Sequence, residues 1–252
     1  VLNKVQDVPR INTEAEREQI LEELGIDVLI LAEFTPEYAS QTPEQFVENT
    51  LVEGLGVRSL FVGENYRFGK GRSGTAVMLK KTGHELGFTV HVVPSVKVDE
   101  VVVSSSEIRK LLLSGEIRRA NELLGRPFKI AGKVIHGHSR GKKLGFPTAN
   151  IKPEPKLCPP DGVYAVYCIL DDDKKNLRPG VMNIGWNPTF KDRRVSYEAH
   201  IMDLDRDLYG QRIEMQIIDR IRAEMTFGNV EELKEQIRKD IKYSREIFSG
   251  IY

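Results

Sequence analysis

The hydrophobic periodicity of this chain changes once, near residue 125, and that change limits the possible folds more than any other feature. Before it, short apolar runs alternate with helical patterns. VLILA (28–32), SLFVG (59–63) and TVHVV (89–93) read as buried strands. Between the first two, TPEQFVENTLVEGLG predicts a helix with Thr42 as N-cap, Pro43 at its first position and Gln45 closing a capping box. TEAEREQILEELG follows the same logic, with Thr13 capping, Glu16 reaching back and Gly25 stopping the helix. Strand–helix alternation of this kind points to a parallel α/β sheet. After GEIRRANELLGRPF the pattern becomes extended. KIAGKVI, GVYAVYCIL, RPGVMNIGW, VSYEAHIMDL and RIEMQIIDRI are rich in β-branched and aromatic residues and are separated by Gly, Pro and Asp. They predict an antiparallel barrel or sandwich. A last helix is expected from about 230, with Leu233, Ile237, Ile241 and Phe248 on one stripe and Glu235–Lys239 as an i,i+4 pair. The expectation is therefore two domains, 1–123 and 124–252, within the 252 residues.

Acidic and basic residues number 37 each, so no global field favours nucleic acid, and any anion must be held locally. The two cysteines, Cys158 and Cys168, suit neither a disulfide framework nor a zinc site and read as buried thiols. That usage fits a reducing compartment, and no apolar run approaches membrane-spanning length. A cytoplasmic protein without a membrane partner is expected. The chain begins with Val, so further residues are expected to precede it.

The densest chemistry lies in GHSRGKKLGFPTANI (137–151). Gly137, Gly141 and Gly145 let the backbone approach an anion, while Arg140, Lys142 and Lys143 neutralise it. It is not a P-loop, because the Gly-Lys-Ser/Thr ending and its α/β setting are missing. Pro147 fixes the backbone before Thr148, and a strand there would turn the oxygens of Thr148 and Asn150 the same way. Two neutral oxygens beside phosphates suit Mg²⁺, which takes its other ligands from substrate and water. The plainer alternative is a basic hairpin with a solvated strand face.

In VSYEAHIMDL, alternation separates Val195, Tyr197, Ala199 and Ile201 from Ser196, Glu198, His200 and Met202. Glu198 could then face a barrel mouth and orient an alcohol, although an exposed strand carboxylate is the commoner outcome of such spacing. Arg222 precedes a predicted turn, where an anion contact and a surface ion pair are equally consistent with its position. Trp186 and Phe190 are assigned to core packing. In VSSSEIRKLLLSGEI (103–117), Ser104 and Glu107 have capping-box spacing. Ser105, Ser106 and Arg109 would add anion-binding groups to that helix N-terminus, though plain capping explains the spacing by itself. GENYRFGKGRSG (63–74) reads as a basic loop after a strand.

GKKLGFPTAN resembles the signature of riboflavin kinases, and the chain around it resembles the bifunctional bacterial riboflavin kinase and FAD synthetase family. PPDGVYAV (159–166), GVMNIGWNPTF (180–190), YEAHIMDLDRDLYGQRIE (197–214) and RIRAEMTF (220–227) carry the likeness across 124–252. The resemblance implies a β-barrel that phosphorylates the ribityl 5′-hydroxyl of riboflavin with Mg-ATP. It implies that Thr148 and Asn150 hold magnesium and phosphate, and that the loop with Gly137, Arg140, Gly141, Lys143 and Gly145 covers the nucleotide. Glu198 would be the base and Arg222 a flavin contact. Segment 103–109 is similar to the Ser-Ser-Thr/Ser-x-Ile-Arg motif of nucleotidyltransferases. This implies a Rossmann-like domain that adenylylates FMN to FAD, with Ser104, Ser105, Ser106 and Arg109 handling ATP phosphates. Asn65 and Arg67 would contact nucleotide or flavin. The family's His-x-Gly-His and Phe-Asp-Gly motifs are absent, and His84, His91, His136, His138 and His200 do not replace them. A first strand is thus expected to lie outside this sequence, with adenylylation belonging to the complete protein. The alternative is a riboflavin kinase whose N-terminal domain only binds nucleotide or flavin. The expected partners are riboflavin, FMN and ATP, without nucleic acid, in a monomer or weak homo-oligomer.

Overall fold

The computed structural model describes residues 8–137, 141, 144–186 and 195–250, with the side chain of Trp186 outside that set. Arg140, Lys142, Lys143 and Phe190 also lie outside the described residues. The chain divides into two compact units. One is centred on Glu18–Val103, and the other combines Pro9–Arg17 with the chain from Ser104 onward.

Helix α1 (Glu14–Glu23) starts at the predicted capping box: Thr13 N–H donates to Glu16 Oε2 at 3.0 Å and Glu16 N–H to Thr13 Oγ1 at 3.2 Å. Gly25 ends it at a φ of 77°, left-handed backbone that glycine adopts without a Cβ clash. In the first unit α2 (Pro36–Ser40) is followed by α3 (Pro43–Gln45), which opens with the complete Thr42–Gln45 capping box. The chain continues as a π-helical stretch, Phe46–Gly54. Strand β1 (Ser59–Gly63) then precedes a hairpin of β2 (Arg67–Phe68) and β3 (Gly74–Thr75). After α4 (Ala76–Leu86), β4 (Thr89–Val93) pairs parallel with β1. A small hairpin of β5 (Lys97–Val98) and β6 (Val101–Val102) closes the unit. Val47, Leu51, Val62, Phe68, Leu79 and Val90 form its core.

Two expectations need correction here. VLILA (28–32) is not a strand: it carries no ladder, and Val28 is 73% exposed. An apolar run becomes a strand only when a neighbouring edge satisfies its N–H and C=O groups, which periodicity does not report. Strands β1 and β4 exist, but of their side chains only Val62 and Val90 are buried, so neither is a fully covered strand.

The second unit begins with α5 (Ser105–Ser114), capped by Ser104, and α6 (Ile117–Leu124). Asn121 fastens α6 to the sheet, accepting from Phe128 N–H at 2.7 Å and donating to the Ile217 carbonyl at 2.9 Å. Six antiparallel strands then close a barrel: β7 (Phe128–Ile135), β8 (Ala149–Pro153), β9 (Gly162–Leu170), β10 (Asp173–Trp186), β11 (Val195–Ile201) and β12 (Arg212–Arg222). Their order around the barrel is β10-β11-β8-β7-β12-β9, and β9 pairs with β10 to complete the circuit. Closure removes the free edges that an open sheet exposes. Phe128, Ile130, Tyr164, Met182, Ile184 and Met215 are fully buried.

Helix α7 (Val230–Ser249) covers the outer face, where Ile247 and Phe248 pack against Ala165 and Tyr167. Segment Pro9–Arg17 is held by a buried ion pair, Lys156 Nζ to Glu16 at 2.6 and 2.8 Å, with the two side chains 2% and 3% exposed. The same ammonium donates to the Lys129 carbonyl at 2.7 Å and lies over the Phe128 ring. Among the described residues no helix is long and apolar enough to cross a membrane.

Candidate active site

Register assembles the site on the outer surface of the barrel. Asn150 on β8 lies opposite Glu198 on β11, Glu198 lies opposite Asn183 on β10, Asn183 opposite Val163 on β9, and Val163 opposite Arg222 on β12. Directly opposed residues share a face, with Cβ atoms about 4.5–5.5 Å apart. One row around five strands therefore brings Asn150, Glu198, Asn183 and Arg222 to a common level. Tyr197, Ala199 and Ile201 are buried while Ser196, Glu198 and His200 are half-buried. Glu198 thus points outward rather than into a barrel mouth, because the interior is filled by the apolar alternates.

Two chambers flank this row. One, of about 310 Å³, is lined by Glu198, Asn183, His200, Arg222, Glu224 and Phe227, with Leu233, Ile237 and Ile241 of α7 and with Leu144 and Phe146 of the glycine loop. The other, of about 400 Å³, is lined by Gly137, Asn150, His136, Arg206, Asp207 and Tyr209 among others. Thr148 lines both. The first is mostly apolar with a few polar groups, the usual make-up of a small-molecule site. The second is closed on one side by His136 stacked on Tyr209, ring centroids 3.6 Å apart.

Gly137 and Gly141 are close-approach positions. A Cβ on Gly137 would collide with the Asn150 carboxamide, and one on Gly141 with the Phe146 carbonyl and the Thr148 hydroxyl. Gly145 turns the chain at a φ of 88°. His200 Nδ1 lies 2.9 Å from the Pro147 carbonyl oxygen, and Phe146 meets the His200 ring edge-on at 6.0 Å. The segment before Thr148 is thereby tied to β11, the strand that carries Glu198. Arg140 and Lys143, expected in this loop, lie outside the described residues.

Arg222 sits in the first chamber, but its guanidinium is committed to Asp240 of α7. Nε lies 3.0 and 3.1 Å from the two carboxylate oxygens, and Nη2 lies 2.8 Å from one of them. The carboxylate is nearly buried, and Gln236 also donates to it at 2.8 Å. This bidentate geometry fixes the angle of α7 over the barrel and presents Arg222 beside Phe227. Burial, aided by the charge of Asp161, holds the Glu224 carboxyl above the usual carboxylate range. Asn183, Glu224 and Phe227 were absent from the sequence expectations. Alternation in GVMNIGW places Asn183 beside Val181 and opposite the buried Met182 and Ile184, and a polar residue there was the available signal.

The other expected residues divide between the units. Asn65 is in the turn after β1, and Arg67 is in β2, where it donates to the Tyr66 carbonyl at 3.0 Å. Both belong to the first unit. In the second, Ser104 accepts from Glu107 N–H at 3.2 Å, and Ser105 and Ser106 are exposed in the first turn of α5. Arg109 donates to the Pro9 carbonyl at 2.9 Å and to the Ser105 carbonyl at 3.1 Å, so two of its nitrogens hold backbone.

Comparison with known proteins places these features in company. The riboflavin kinase family model matches residues 124–248, and the FAD synthetase model matches residues 1–107. The bifunctional riboflavin kinase/FMN adenylyltransferase of Escherichia coli (strain K12) is 38% identical over 239 residues, covering 95% of this chain and 76% of that protein. The protein of the same name from Bacillus subtilis (strain 168) is 37% identical over 236 residues, covering 92% of this chain and 73% of its own length. The crystal structure of a macrolide-efflux protein from Streptococcus pneumoniae superposes with a TM-score of 0.86 at 32% identity, covering 93% of this chain and 75% of that one.

Proposed function

The chain belongs to the family of bifunctional riboflavin kinase/FMN adenylyltransferases, and from that premise we propose that its barrel transfers the γ-phosphoryl group of ATP to the 5′-hydroxyl of riboflavin. The observation that carries this reading is the position of Thr148 on the wall shared by two chambers, with Asn150 on one side and Glu198 on the other. A phosphoryl donor in the chamber of Asn150 and an alcohol in the chamber of Glu198 would meet at that wall. Phosphoryl transfer asks little covalent chemistry of a protein; it asks for alignment and neutralised charge.

In this reading Glu198 accepts the proton of the attacking hydroxyl, and the apolar face of α7 holds the flavin and excludes water. Gly137 and Gly141 let the loop backbone close over the phosphates, with Arg140 and Lys143 as the counter-charges. Arg222, oriented by Asp240, lines the flavin side. Thr148 Oγ1 and the Asn150 carboxamide oxygen are hard, neutral donors on one chamber wall, a set that fits Mg²⁺. Held by Thr148 and Asn150, such an ion would supply neutralisation of the phosphate charge.

The N-terminal region, through Asn65, Arg67, Ser104, Ser105, Ser106 and Arg109, would serve adenylylation of FMN to FAD with release of pyrophosphate. Riboflavin, FMN and ATP are then the small-molecule partners, and a monomer or weak homo-oligomer in the cytoplasm is the expected state. Incubation with riboflavin, ATP and magnesium should yield FMN. Tight flavin binding without FMN would replace the kinase with a binding module, and FAD in the same mixture would assign the second activity to this chain.

A further inference from the structure

We infer that Asn183 is a specificity-determining residue that reads the hydroxyl next to the one phosphorylated, so that the site demands a polyol tail. This rests on the kinase reading above. Asn183 stands directly opposite Glu198 in the β10–β11 ladder and lines the same chamber. Neighbouring strands are about 4.8 Å apart, close to the reach between adjacent hydroxyls of a sugar alcohol and two side chains converging on them. A carboxamide both donates and accepts, which matches a secondary alcohol better than a carboxylate or an ammonium does.

The setting explains why the group is there at all. Met182 and Ile184, its chain neighbours, are fully buried, and Val163, its partner on β9, is buried as well. Two of the polar side chains around it are already committed: Arg222 to Asp240, and His200 to the Pro147 carbonyl. Among the described residues the Asn183 carboxamide and the Glu198 carboxylate make no side-chain hydrogen bond within the protein. A half-buried amide on a chamber wall that makes no bond within the protein is free to exchange its water for a ligand hydroxyl. Its Nδ2 also lies on the side of Gly185, where a Cβ would meet both that nitrogen and Glu224 Oε1. Gly185 therefore keeps open the space into which Asn183 and Glu224 project. Together with Glu198 they make a short polar track across an otherwise apolar wall, which suits a hydroxylated chain leading away from a flat aromatic body.

The test compares riboflavin with its 4′-deoxy analogue on the wild-type chain and on Asn183→Ala, with Asn183→Ser as a conservative control. Wild type should prefer riboflavin by about 10-fold in kcat/KM, the size of one hydrogen bond to a neutral partner. Asn183→Ala should lose that preference, raise the KM for riboflavin, and treat both substrates alike; Asn183→Ser should keep part of it. The pH profile of kcat should not move, because the base remains. Unchanged discrimination in an active, folded Asn183→Ala protein would overturn the inference and leave the kinase reading intact. A variant altered only in its magnesium dependence would also overturn it. A wild-type chain that makes no FMN would instead remove the kinase reading, and this inference with it.

Discussion

Glu198 is where a single atom change should matter most. Replacing its carboxylate with the amide in Glu198→Gln keeps the shape and removes the proton acceptor. Turnover to FMN should fall by about 10²–10⁴-fold, with riboflavin affinity roughly unchanged. Stopped-time FMN assays beside flavin-fluorescence titration separate the two quantities, and equal turnover would remove the proposed base. Thr148→Ala should weaken productive use of Mg-ATP. A magnesium dependence identical to wild type would count against that role. Away from the site, Glu16→Ala should be among the most damaging substitutions, because it strands the Lys156 ammonium in the interior. Breaking one side of a buried pair typically costs about 3–5 kcal/mol, to be read from urea denaturation.

At the level of elements, Gly141, the segment 144–148 and strand β8 behave as one part. Gly141→Ala would drive a methyl group toward the Phe146 carbonyl and the Thr148 hydroxyl, so the loop must shift. Because Gly141 lines the chamber of Glu198 and the shift reaches Thr148, the expected result is a raised KM for riboflavin and for ATP with little change in melting temperature, since the barrel strands are untouched. A loss of stability without a change in KM would mean that the loop is structural only. The same elements show what a sequence can and cannot convey. Capping at Thr42, Thr13 and Ser104 was legible because its cause is local: one oxygen and one N–H three residues apart. The outward face of Glu198 was half legible, since alternation separates it from Tyr197 but does not say which side is the interior. Asn183 was missed because its relation to Glu198 exists only across strands. VLILA misled for the converse reason: its apolarity was real, but strand formation is a property of a pair.

The barrel as a whole should be sensitive to alkali. Burial pushes the Cys168 thiol up from 9.0 to about 12, and burial likewise raises the hydroxyls of Tyr164 and Tyr197. Above pH 9 the unfolded chain releases the Cys168 proton while the folded chain keeps it. The folded state then binds more protons, and stability must fall as pH rises. The slope for this one group is about 1.4 kcal/mol per pH unit between roughly 9 and 12. Urea midpoints measured from pH 8 to 11 should decline, and Cys168→Ala should flatten part of the decline; a level profile in the wild type would contradict the buried ionisations.

The placement of Thr148 on a wall common to both chambers has a thermodynamic corollary. Two ligands that both contact Thr148 would be coupled through it, and linkage makes any such coupling reciprocal, each altering the other's affinity by the same factor. Titrating flavin in the presence and absence of a non-hydrolysable nucleotide, and then reversing the order, should give one coupling constant from both directions.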